Sequence, residues 1–179
     1  MHTARIAAVV IVIALAIGVA VAARSTTAPL GSTVSTSAND WTLPRLSGTG
    51  QVALADFRGK PAVVDFFASW CTACKAELPE FLAVSHLTGA RVAFVGVDSE
   101  ENGDGLSMAR QSGITAWPLA RDVGGSQASG LRDALESTPG MPITAFYDAR
   151  GHVVSVRLGA LTADALRSLL HQLFAVSLP

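Results

Sequence analysis

Cys71 and Cys74 are the only cysteines in the chain, and two residues separate them. A disulfide between them would close almost no loop, so it would remove little entropy from the unfolded chain and stabilise little. Such a bond is better suited to being made and broken than to stapling a fold. Disulfide exchange needs one thiolate that attacks and a second thiol that releases the partner. The pattern predicts a helix beginning at or near Cys71, whose unpaired amides and dipole favour negative charge on that sulfur. Cys74, one turn further on, can then attack the mixed disulfide. Cys71 is the expected nucleophile and Cys74 the expected resolving thiol.

Two acids stand close to this pair in the sequence. Asp65 is the one charged residue in the apolar run 62–67. Burial there should raise its pKa and suit it to accept a proton from Cys74; the alternative is a strand-end acid reaching water. Glu77 follows Cys74 by three residues and shares its helix face, so it can exchange a proton with Cys74 or stand as a solvated helix charge. Trp70, next to Cys71, can pack on a partner or shield the sulfur. His86, His152 and His171 are scattered and read as surface residues. Two cysteines with such histidines do not make the four ligands of a structural zinc site, and no metal or cofactor is expected.

The secondary structure around these groups can be read from the hydrophobic pattern. Residues 41–46 and 51–55 flank a glycine-containing turn and read as a β-hairpin, with Pro44 suggesting an edge strand. The continuous apolarity of residues 62–67 suggests a central strand covered on both faces. Residues 72–87 show helical spacing through Leu78, Phe81 and Leu82, with Pro79 inside and a kink expected there. A second continuous strand covers residues 91–97. A weaker helix is expected at 102–112, a short strand at 116–120 and another helix at 126–136. Residues 142–147 and 152–158 form the expected antiparallel pair. Thr162 is a plausible N-cap for a last helix with a stripe of Leu166, Leu169, Leu170, Leu173 and Phe174. The fold class is α/β, a central mixed sheet flanked by helices with an N-terminal hairpin.

Ahead of that domain, residues 6–23 are an unbroken run of 18 apolar and small residues between Arg5 and Arg24. At about 1.5 Å per helical residue this reaches roughly 27 Å, enough for a hydrocarbon core. Residues 1–24 are therefore expected to be a membrane anchor, with cleavage as a signal peptide near Ala20-Val21-Ala22 as the alternative. Either places the remainder of the chain outside the cytoplasm. No cysteine lies near residue 24, which excludes lipid attachment there. The Ser- and Thr-rich residues 25–40 read as a linker, and residues 41–179 as the domain. Of the 179 residues, 50% are hydrophobic and 15% charged, with a net charge of −1, so nothing argues for nucleic acid as a partner.

The segment Val64-Asp65-Phe66-Phe67-Ala68-Ser69-Trp70-Cys71-Thr72-Ala73-Cys74-Lys75 resembles the active site of the thioredoxin superfamily. More narrowly, Leu54-Ala55-Asp56-Phe57-Arg58-Gly59-Lys60-Pro61 before the expected strand and Cys74-Lys75-Ala76-Glu77-Leu78-Pro79 after it resemble the TlpA/ResA-like thiol-disulfide oxidoreductases. That resemblance implies a thioredoxin-like fold and places Asp65 as the acid assisting Cys74 and Glu77 as the active-site glutamate. The stretch Gly140-Met141-Pro142 and its continuation to Gly151 resemble the segment facing the dithiol. By likeness, Pro142 should be cis and Met141 should offer its backbone to a substrate strand. Members of this family are anchored or exported, and several reduce apocytochrome c before haem attachment. The implied partners are exported cysteine-containing proteins and a membrane thiol electron donor.

Thr72-Ala73 lacks the proline commonly found between the cysteines. Superfamily dithiols span about −270 mV to −120 mV, which covers both reductants and oxidants. A reductase is the expected function, and a disulfide-donating oxidase is the enzymatic alternative. The non-enzyme alternative is an extracytoplasmic Cu(I) carrier using the two soft thiolates. A peroxidase of related fold would want threonine three residues before the reactive cysteine, where this chain has Ala68.

Overall fold

The computed structural model describes residues 36–122, 129–135 and 140–179. The expected anchor at 6–23, most of the expected linker, and residues 126–128 and 136 of the helix expected at 126–136 lie outside the described residues. Within the stretch read as linker, Thr36–Ser37 form a short strand β1 that pairs antiparallel with β2, Asp40–Pro44. Paired backbone therefore begins a few residues before the expected domain start.

The hairpin is formed by β2 and β3 (Gln51–Ala53), with Leu43 opposite Val52. The second strand is shorter than expected, because Leu54–Phe57 turn into a 3-10 helix. The Asp56 carboxylate accepts the N–H of Ala53 at 3.0 Å and closes that turn. Trp41 anchors the hairpin. Its indole is fully buried and donates to the Tyr147 hydroxyl at 3.2 Å, which donates in turn to the carbonyl of Ala38 at 2.9 Å. Pro44 lies at the end of β2, past the two residues of β1 that pair there.

The main sheet has five strands in the order β6-β5-β4-β7-β8. They are β4 (Ala62–Phe67), β5 (Ala93–Ser99), β6 (Leu119–Asp122), β7 (Ile143–Tyr147) and β8 (Val153–Leu158). β5 runs parallel to β4 and β6, whereas β7 runs antiparallel to β4 and β8. This is a thioredoxin-like arrangement. Every residue of β4 is buried, and the period of two explains why a continuous apolar run is needed. Ala62, Val64 and Phe66 point into a core with Trp41, Leu43 and Tyr147. Val63 points the other way, against Phe81, Val84, Phe146 and Leu166. Each large side chain fully buried in these layers contributes about 1.5–3 kcal/mol. Asp65 falls on the face of Val63 and Phe67, the face that the dithiol helix covers.

Among the described residues the α-helices are α1 (Thr72–Thr88), α2 (Gly105–Gln111), α3 (Leu131–Leu135) and α4 (Ala163–Phe174). Pro79 lies inside α1, and Thr162 caps α4 by accepting the N–H of Ala165 at 3.2 Å. Two expectations shift. Residues 114–116 form a 3-10 turn and the strand begins only at Leu119, because Pro118 holds Trp117 extended and ends the turn. The helix expected from 102 starts at Gly105, where Asp104 accepts the N–H of Ser107 at 2.8 Å. Residues 100–104 are thereby left as a loop at the end of β5, beside the dithiol.

Candidate active site

Cys71 and Cys74 are joined by a disulfide at the start of α1, with their Cα atoms 5.3 Å apart. Cys71 is the N-cap residue, and its Sγ accepts the N–H of Cys74 at 3.0 Å. A sulfur at this position faces the open amides of a 17-residue helix, which stabilise a thiolate there once the bond is reduced. Cys71 is 4% exposed and Cys74 is fully buried, so the first sulfur is the one a partner can approach. Trp70, the residue before, is 47% exposed.

Beneath the dithiol lie the two acids. Asp65 and Glu77 are each 1% exposed. Alternation along β4 turns Asp65 toward α1, and the three-residue step from Cys74 turns Glu77 inward, so their carboxyls interact. Burial pushes the Asp65 carboxyl well above the usual range, and the charge of Glu77 pushes it further. Burial raises Glu77 to about 7, opposed by the N–H of Leu161, which donates to its Oε2, and by a hydrogen bond from Asp65. Glu77 also lines a pocket of about 220 Å³ with Ala76, Glu80, Ala160, Leu161 and Thr162, so it is the member of the pair nearer to solvent. One proton held between these carboxyls can be passed inward or outward.

The loop before β7 completes the site. The Met141–Pro142 peptide is cis. The Met141 side chain packs against the cluster that contains Cys71 and Cys74, which brings this loop to the dithiol. Arg132 of α3, itself buried, donates to the carbonyl of Gly140 at 2.9 Å, and the N–H of Gly159 donates to the carbonyl of Pro142 at 2.9 Å. The structure thus brings Cys71, Cys74, Asp65, Glu77, Trp70, Met141 and Pro142 into one region. His86, His152 and His171 are exposed and apart from it. Among the described residues no group of three or more His, Cys, Asp or Glu side chains is arranged to hold a metal ion.

Sequence reasoning missed Asp98, Glu101 and Ser69. Glu101 accepts from the N–H and the hydroxyl of Ser69, both at 2.6 Å, and the indole of Trp70 donates to the carbonyl of Glu100 at 2.8 Å. A usable signal was present. Parallel α/β sheets place their sites at the carboxyl ends of the strands, and Asp98 and Glu101 lie at the end of the strand beside β4.

The fold and the buried Cys71–Cys74 pair define a thioredoxin-like protein. Residues 34–156 match the AhpC/TSA family, and the chain belongs to that family. It is 29% identical over 125 residues to the thiol-disulfide oxidoreductase ResA of Oceanobacillus iheyensis, a match covering 68% of this chain and 62% of ResA. It is 28% identical over 120 residues to the thiol:disulfide interchange protein DsbE of Pseudomonas fluorescens, covering 66% of this chain and 63% of DsbE. The matches therefore span a little under two thirds of these two relatives. A crystal structure of a secreted Mycobacterium tuberculosis disulfide oxidoreductase, homologous to Escherichia coli DsbE, superposes with a TM-score of 0.62 at 26% identity, covering 76% of this chain and 98% of that one.

Proposed function

We propose that this protein is a thiol-disulfide oxidoreductase that reduces disulfides in exported proteins. One observation carries the reading: a disulfide capping α1 through Cys71, with Cys74 and a proton-sharing carboxyl pair buried behind it. In the reduced protein the Cys71 thiolate attacks one sulfur of a substrate disulfide, forming a mixed disulfide and releasing the other substrate sulfur as a thiolate. The Cys74 thiol gives its proton to the Asp65–Glu77 pair and attacks the Cys71 sulfur. The second substrate thiol leaves, the Cys71–Cys74 disulfide forms, and two electrons have passed to the substrate. Glu77, facing the pocket, exchanges the collected proton with water.

Trp70, Met141 and Pro142 form the surface on which the substrate chain lies, with the backbone of Met141 pairing with it. Residues 6–23 anchor the domain on the extracytoplasmic side of the membrane, where a membrane thiol carrier restores the dithiol. Support for this placement comes from the 18-residue apolar run and from the secreted relative. Apocytochrome c before haem attachment is the substrate class implied by the resemblance of residues 54–61 and 74–79 to the TlpA/ResA-like oxidoreductases.

The test is the reduction potential, measured by equilibrating the protein with reduced and oxidised glutathione. A value toward the thioredoxin end, about −270 mV, is expected; a value toward the DsbA end, about −120 mV, would make the protein a disulfide donor and overturn the direction. Absence of any exchange in wild type, or its persistence in Cys71→Ser, would overturn the mechanism.

A further inference from the structure

The loop between β5 and α2 is built around a second pair of carboxyls, separate from Asp65 and Glu77. Glu101 accepts four hydrogen bonds: from Ser69 N–H and Ser69 hydroxyl at 2.6 Å each, from Asn102 N–H at 2.8 Å and from Gly103 N–H at 2.6 Å. Two of the four come from the residue two before the nucleophile. The next residue, Trp70, donates its indole N–H to Glu100, whose backbone is held at φ 55°, a conformation non-glycine residues seldom adopt. Both residues leading into Cys71 are therefore fixed by this loop.

Asp98 supports Glu101 from below. It is 2% exposed, sits opposite Phe67 in the β4–β5 register and shares a hydrogen bond with Glu101. The packing around the pair is close enough to require glycine at two positions. A Cβ on Gly105 would lie 2.2 Å from the Asp98 carboxyl, and one on Gly103 would lie 2.6 Å from the Ser69 hydroxyl. The site is thus constructed from Asp98 at the end of β5, loop residues 100–103 and Gly105 at the start of α2, set against Ser69 and Trp70 after β4.

We propose that Asp98 and Glu101 form a clamp that positions the nucleophile, with protonated Asp98 donating to Glu101 and Glu101 holding Ser69 and Trp70 in the approach to Cys71. This rests on the proposed exchange reaction and adds positioning residues to it. It also makes exchange depend on the protonation of a residue that touches neither cysteine nor substrate. Burial, the hydrogen bond to Glu101 and the charge of Glu101 raise Asp98 to about 8, with Asp104 raising it and Arg121 of β6 lowering it. Burial works against Glu101, but the hydrogen bonds from Ser69, Asp98 and Gly103 outweigh it and keep its pKa below the ordinary value. Below about pH 8 the pair is one acid and one carboxylate, which attract. Above it, two carboxylates face each other in a buried site, and the clamp loosens.

The experiment uses the full chain in its reduced form. The rate of Cys71 alkylation by iodoacetamide and the rate of reaction with oxidised glutathione are followed from pH 6 to pH 10, roughly the range over which thiols and a raised carboxyl titrate. In wild type the glutathione reaction should rise as the thiolate forms and then fall above about pH 8 as Asp98 ionises. Asp98→Ala and Glu101→Gln should lower it by about 10- to 100-fold near neutrality, the scale of a small misplacement of reacting groups. Asp98→Asn, which donates a hydrogen bond at every pH, should restore most of what Asp98→Ala loses and abolish the alkaline fall.

A wild-type rate in Glu101→Gln, or an unchanged alkaline fall in Asp98→Asn, would overturn the clamp. If Glu101→Gln fails to fold, Ser69→Ala takes its place, with a lowered rate expected and a wild-type rate overturning the proposal. Alkylation reads Cys71 whether or not the protein exchanges disulfides with any partner. A wild type inert to glutathione therefore fails the proposed function alone, and the pH profile of alkylation then decides the clamp by the same criteria.

Discussion

The two cysteines differ in what the fold allows each of them. Cys71 caps α1 and keeps a little exposure, whereas Cys74 is sealed beneath it. Replacing Cys74 with Ser should leave Cys71 able to attack but nothing to release the partner, so substrates accumulate as mixed disulfides on Cys71. Non-reducing electrophoresis of extracts, with reversal by dithiothreitol, checks this. The acids act on the second step. Glu77 titrates at about 7, so the pair gains the capacity to take the proton of Cys74 as pH rises through that value. Resolution of a pre-formed mixed disulfide should accelerate across this window, and Glu77→Gln should flatten the rise. A stopped-flow pH profile unchanged in Glu77→Gln would leave Glu77 outside the proton path. Asp65→Asn should slow resolution at all pH values while leaving the first attack by Cys71 nearly intact.

The helices α1 and α4 jointly enclose the carboxyl pair, because the Leu161 N–H just before α4 is a hydrogen-bond donor to Glu77. The entry of α4 is fixed by Thr162, whose hydroxyl accepts the N–H of Ala165. Glu80 of α1 adds a bond from Ala163 N–H at 3.1 Å. Thr162→Ala should cost about 1 kcal/mol, the usual value of an N-cap, and loosen the cover over Glu77. Denaturant melts measure the cost, and hydrogen exchange at Leu161 and Ala163 should quicken more than at β4. On the opposite face, Trp41 binds the hairpin to β7 through Tyr147. Trp41→Ala should destabilise the domain by about 3–5 kcal/mol, read as a lower denaturant midpoint.

Across the domain as a whole, four buried acids make stability depend on pH in an unusual direction. Asp65, Glu77, Asp98 and Asp122 all have folded pKa values raised above their ordinary ones. The folded state therefore binds more protons than the unfolded state between the two values, and stability falls as pH rises through the folded pKa. For Asp98 the window runs from 3.8 to about 8, and for Glu77 from 4.5 to about 7. The melting temperature should decline from about pH 5 toward pH 8, the reverse of ordinary acid denaturation. Asp98→Asn should lessen the slope in that interval. A melting temperature that rises across it would contradict the raised values.

Much of this protein was legible in its residues. A dithiol too tight to be a staple, an acid inside an apolar run and a glutamate one turn beyond Cys74 depend on spacing along single elements, and spacing is local. The same holds for Thr162 as a cap and for β4 as a doubly covered strand, since period and composition report them directly. The cis geometry at Pro142 was expected from resemblance, not from any property of the residues. The contacts between Glu101 and Ser69, 32 residues apart, had no local signature. In sequence, Asp98 and Glu101 look like solvated acids at a strand end. Only the parallel pairing of β5 with β4 makes one of them buried and turns the other onto the backbone that leads to Cys71. Local spacing determined which residues could exchange a disulfide; tertiary packing decided which side chains hold them in place, because that depends on strands and loops distant in the chain meeting at one end of the sheet.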